Sequence, residues 1–136
     1  MSELGGPGDA YDLELATASL LADGKDVHIL LKVLVQQLSG AFGERLKVER
    51  KGGLLHKSDE IRSLEVAIGN DYYQAEVRGG GVACRVGHTS GGIRIRSEQV
   101  DMDDWLRRLL GALKGEAAHS QSARLALENI VIGGPA

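Results

Sequence analysis

The chain has no cysteine pair, little aromatic surface and no long apolar run, and each absence removes a class of protein. A single cysteine, Cys84, cannot close an internal disulfide, and no Cys pair stands at zinc-ligand spacing. One Trp, three Tyr and one Phe leave the core to Leu, Val, Ile and Ala. They also leave few rings on which nucleic-acid bases could stack. No apolar stretch approaches the roughly 18–20 residues that span a bilayer as a helix. The start, Met1-Ser2-Glu3-Leu4-Gly5-Gly6, lacks the basic and apolar regions of a signal peptide, so the expected compartment is the cytoplasm and no membrane partner is expected.

What remains is ordinary for one globular domain. In 136 residues, 43% are hydrophobic and 26% charged, enough apolar content for a core and too much for general disorder. The net charge of −3 gives no global attraction to nucleic acid, but it is unevenly spread. Residues 1–30 hold six acids against Lys25 alone, whereas residues 44–96 hold ten Lys/Arg against seven acids.

The apolar period changes twice along the chain, and this predicts the fold. Residues 1–8 read as a flexible tail and 133–136 as a short one, with one domain over 9–132. A first helix is predicted from Asp9 to about Ala22. A second runs from about Asp26 to Phe42, where Val27, Leu30, Leu31, Leu34, Val35, Leu38, Ala41 and Phe42 form one stripe and Gly43 is the stop. Ile29 and Val33 make a minor patch behind it. From Arg45 to Arg96 the period is two. Arg45–Glu49, Ser63–Ile68, Tyr72–Arg78, Val82–Val86 and Ile93–Arg96 alternate, with Gly-rich turns between the later four. After Asp101, the expected cap, Met102, Trp105, Leu106, Leu109, Leu110 and Leu113 recur helically, and Gly115 is expected to bend or break this helix. A last helix is predicted from about Glu116 to Ile132, with Ala123, Leu127, Ile130 and Val131 as its stripe and Ala118, Leu125 and Ile132 as a second patch. The fold class is α+β: a five-stranded antiparallel meander with two N-terminal and one or two C-terminal helices on one face.

Motifs for chemistry are weak. Gly87-His88-Thr89-Ser90-Gly91-Gly92-Ile93-Arg94 has glycines at phosphate-loop distance but lacks the Lys and Ser/Thr after them, and strands flank it, so a hairpin turn is the reading. Ser90 lacks the Gly-x-Ser-x-Gly frame. His28, His56, His88 and His119 are scattered, and His56-x-x-Asp59 falls in a charged loop over residues 52–60. Asp101, Asp103 and Asp104 suit the first turn of a helix better than a calcium loop, which would need a turn glycine and a closing glutamate. No catalytic residue, cofactor or metal site is assigned. Cys84 reads as a small buried hydrophobe.

One cluster is cationic. Arg45, Lys47, Arg78, Arg85, Arg94 and Arg96 all take polar-face strand positions, and the last hairpins are expected to bring Arg85 near Arg94 or Arg96. Glu49, Glu65 and Glu76 are expected on the same face as their neutralising partners. Tyr72 is the clear outward aromatic, a poor platform for RNA.

Val48-Glu49-Arg50-Lys51-Gly52-Gly53-Leu54-Leu55, Asp103-Asp104-Trp105-Leu106 and Ala123-Arg124-Leu125-Ala126-Leu127-Glu128 resemble a group of small proteins from high-GC bacteria. The resemblance covers about two-thirds of the chain and implies a bacterial cytosolic setting, with no activity or site attached.

The expected function is a non-enzymatic protein-interaction module working as a homodimer or with a protein partner. Its interface is expected at the minor helical patches, Ile29, Val33, Ala118, Leu125 and Ile132, paired across a two-fold axis. One alternative is an anion- or nucleic-acid-binding role through Arg78, Arg85, Arg94 and Arg96, with nucleic acid disfavoured. Another is a small-ligand pocket or enzyme site between sheet and helices, with His56 and His88 at its mouth.

Overall fold

The computed structural model describes residues 27–52 and 60–132, and the side chain of Ile132 lies outside that description. The helix predicted over residues 9–22, both tails and most of the 52–60 loop, including His56, fall outside the described residues.

Helix α1 spans Val27–Phe42 and buries Leu30, Leu31, Leu34, Val35, Leu38 and Phe42. These positions recur every three or four residues, so one stripe faces inward. Gly43 then adopts φ +49°, a left-handed turn that a side chain would resist, and the helix stops there as predicted. A 3-10 turn over Gly43–Arg45 leads into the sheet.

Five antiparallel strands follow in sequence order: β1 (Leu46–Arg50), β2 (Ile61–Ile68), β3 (Asp71–Arg78), β4 (Gly81–Ser90) and β5 (Ile93–Val100). Leu64, Val66 and Ile68 of β2, Tyr73 and Ala75 of β3 and Cys84 of β4 form the buried face under the helices. The β4–β5 hairpin turns on Gly91 and Gly92, at φ +60° and +83°, which match the twist of the flanking strands.

Two bulges interrupt the alternation. Arg50 pairs with Ile61 and Glu49 with Ser63, so Arg62 is the extra residue and Ile61 swings into the core. On β5, His88 pairs with Arg96 and Thr89 with Arg94, so Ile95 is the extra residue.

Helix α2 (Met102–Ala117) buries Trp105, Leu106, Leu109, Leu110 and Leu113. Burying these five contributes on the order of 10 kcal/mol before chain entropy is charged. The Trp105 indole N–H donates to the Arg85 carbonyl at 3.2 Å, so the ring is fixed against β4 as well as buried. Asp101 holds the cap position, but its side chain makes no capping bond; Asp103 accepts from the Asp104 N–H at 2.9 Å instead. Gly115 does not break the helix. Glycine costs about 1 kcal/mol in a helix interior, and six buried side chains hold this one. The break comes at residues 118–120, where Ser120 Oγ accepts from the Ala123 N–H at 3.2 Å and starts α3 (Gln121–Ile132). The last helix therefore begins five residues later than its apolar pattern suggested.

The helices form two tiers on one face of the sheet. α1 lies over β1 and β2, α2 lies over β4 and β2, and α3 packs chiefly against both helices. Ala123, Ala126, Leu127 and Ile130 of α3 are buried there, and Asn129 donates to Gln37 of α1 at 3.1 Å.

Candidate functional site

The arginines singled out from sequence do not share one face. Arg94 lies on the outer face, where its guanidinium stacks 4.1 Å from the centre of the Tyr72 ring and pairs with Glu65. Tyr72 in turn lies across Gly87: a Cβ on that glycine would stand 2.0 Å from the ring. Tyr72 is outward, as expected, yet buried, because Arg94 and the bare backbone of Gly87 enclose it. Arg78 is engaged by Glu76 at 3.0 Å, and Ser63 donates to Glu49 at 3.2 Å. Arg85 pairs in register with Gln99, away from both Arg94 and Arg96, because β4 and β5 run four residues further than the alternation alone indicated.

Arg96 is on the other side. Two residues after Arg94 it would share that face in a regular strand, but the bulge at Ile95 inverts the phase. Arg96 instead stands opposite His88, on the helix side of the sheet.

There it meets a group of polar side chains. Asp71, His88, Arg96, Glu98 and Arg108 line a cleft of about 440 Å³, with Val86 as an apolar wall. His88 Nδ1 lies 2.8 Å from Asp71 Oδ1. Arg108, from the second turn of α2, donates to Glu98 at 2.8 Å and to Asp104 at 3.2 Å. The hydrogen bond to Glu98 is the chief cause that raises the Arg108 pKa above its ordinary value. Tyr73 lies in the same field. Burial pushes its phenol up to about 12, with the Asp71 charge adding to the rise and Arg108 opposing it. Arg96 makes no ion pair among the described residues, and neither does Arg85.

A second hollow, of about 380 Å³, is lined by His28, Lys51, Glu60 and Arg62. Among the described residues no three His, Cys, Asp or Glu side chains converge to hold a metal ion. Cys84 is buried against Met102, its sulfur 3.4 Å from the thioether, and burial pushes its thiol up to about 11. At neutral pH it is not a nucleophile.

The apolar surface is distributed differently from the expectation. Ile29 is 57% exposed and Leu125 50%, while Val33 is half-buried. Ala118 is exposed but caps the end of α2 and is no part of α3. The largest exposures belong to residues read as sheet: Ile93 at 71% and Ile95 at 59%. Every residue of β5 except Val100 is exposed, and β5 is an edge of the sheet. The alternating pattern correctly marked a strand here, and nothing in it marked an edge.

Among the described residues, no helix is long and apolar enough to cross a membrane. Comparison with known protein families, characterised proteins and solved structures finds no match to this chain.

Proposed function

We propose that the protein is a non-enzymatic interaction module that works as a homodimer, joined edge to edge along β5. The observation that carries this reading is the uncovered edge strand, with Ile93 and Ile95 as the most exposed large hydrophobic side chains in the described fold. An edge strand presents a row of free N–H and C=O groups, and natural proteins usually guard it with charge or cover. Arg94 does not guard this one, since its side chain folds back onto Tyr72 and Glu65. A second copy running antiparallel would satisfy the backbone row and bring the isoleucines of both chains into one seam. Pairing of identical strands about a two-fold axis closes at two copies, which suits a dimer better than a fibre. Ile29 and Leu125 then remain on the helical layer as a surface for a further protein partner.

Sedimentation at micromolar concentration tests the proposal. The wild-type chain is expected to run as a dimer, Ile95→Glu as a monomer and Leu125→Glu as a dimer. A wild-type monomer overturns the reading. Dissociation by Leu125→Glu but not by Ile95→Glu would move the contact to the helical layer.

A further inference from the structure

We infer that the cleft between β4, β5 and α2 binds the oxyanion group of a small metabolite, a carboxylate or phosphate, with Arg96 as its principal ligand. This does not depend on the dimer.

The argument starts from charge. The cleft walls carry two carboxylates and two guanidiniums. Asp71 is engaged by His88 at 2.8 Å and Glu98 by Arg108 at 2.8 Å. Each carboxylate therefore has a partner within the cleft. Arg96 faces the same space with no carboxylate of its own among the described residues, so its guanidinium is the cleft's cation without an ion pair, while the formal charges of the walls sum to zero with His88 neutral and to +1 with it protonated. A guanidinium offers a planar fork of donors that matches an oxyanion in two hydrogen bonds.

His88 supplies a second, independent contact. Asp71 holds the ring through Nδ1, which fixes its orientation and leaves Nε2 with no hydrogen bond among the described residues. Nε2 can accept from a ligand hydroxyl when the ring is neutral and donate to an anion when it is protonated. At about 440 Å³ the cleft exceeds the size of a bare inorganic ion and falls within the range of small-molecule sites. The Val86 wall offers a surface for the ligand's apolar part. The outer face lacks this combination: there Arg78 and Arg94 are already paired, and Arg85 lines a smaller hollow of about 180 Å³ that it shares with Glu76 and Arg78.

The test is a two-dimensional amide NMR titration of the full chain with sodium acetate and, separately, sodium phosphate, each against sodium chloride at matched ionic strength. The expected result is a saturable shift of the amides of residues 86–88 and 96–98 with at least one of the two anions. Acetate alone would identify a carboxylate group, phosphate alone a phosphate group. Arg96→Gln should weaken the response roughly tenfold, while Arg85→Gln, on the outer face, should leave it unchanged. Arg96 is exposed and unpaired, so its variant should otherwise keep the wild-type spectrum. Shifts no larger than those from chloride, an undiminished response in Arg96→Gln, or shifts centred on Arg85 and Arg94 would each overturn the inference.

Discussion

β2 and β5 are both eight residues long and both alternate apolar with polar side chains, yet one is core and the other is surface. Leu64-Glu65-Val66 and Ile93-Arg94-Ile95 have the same pattern. Leu64 and Val66 are fully buried under α1 and α2, while Ile93 and Ile95 are among the most exposed side chains of the fold. The difference lies in what stands above each strand. β2 is central to both helices of the lower tier; β5 lies beyond them, and the Arg108–Glu98 bridge ties it to α2. Alternation therefore marks a strand, and tells which residues share a face only where no bulge intervenes. Whether that face is covered is decided by the placement of other elements.

The comparison can be broken most strongly by removing the cover. Trp105→Ala should cost about 3–5 kcal/mol in urea unfolding, because it deletes a fully buried ring and its bond to the Arg85 carbonyl. Val66→Ala on β2 should cost about 2 kcal/mol by the same measurement. Gly87→Ala should cost about 1–3 kcal/mol by forcing Tyr72 out from beneath Arg94, and much of that cost should vanish in a Tyr72→Ala background.

The fourth effect is confined to alkaline solution. Tyr73 titrates at about 12 in the fold against 10.0 in the unfolded chain. Between those values the unfolded state holds fewer protons, so the contribution is complete below pH 10 and is lost as pH rises towards 12. Tyr73→Phe should lack this part of the slope. The smallest effect sharpens the contrast directly: Ile95→Ala should change monomer stability by no more than about 0.5 kcal/mol. Cys84 should resist thiol reagents at pH 8 in the native state and react only as the chain unfolds.

Much of the architecture was legible because it depends on period. The stripes of α1 and α2, the Gly43 stop and the Gly-turned hairpins follow from local spacing and local backbone demand. The site was less legible. An inserted residue leaves no mark in composition, so nothing announced the bulge at Ile95, and Arg96 was read onto the wrong face. Register also depends on where a turn closes, which placed Arg85 opposite Gln99. The cleft unites residues from β3, β4, β5 and α2, and no spacing rule links Asp71 to His88 or Glu98 to Arg108. Of its residues, sequence marks His88 as standing at the mouth of a pocket and Arg96 as an anion contact, the latter on the outer face of the sheet.

The strand order has a consequence for how the chain assembles. Each strand neighbours the one before it, so the sheet can zip up through short loops with little entropy lost at each closure. The bond between Gln37 and Asn129 is the opposite case, joining helices 92 residues apart. Folding is expected to start in the β-hairpins at the middle of the sequence and to be sealed when α1 and α3 meet. Core substitutions on β3 and β4 should slow refolding, whereas those in α3 should mainly hasten unfolding.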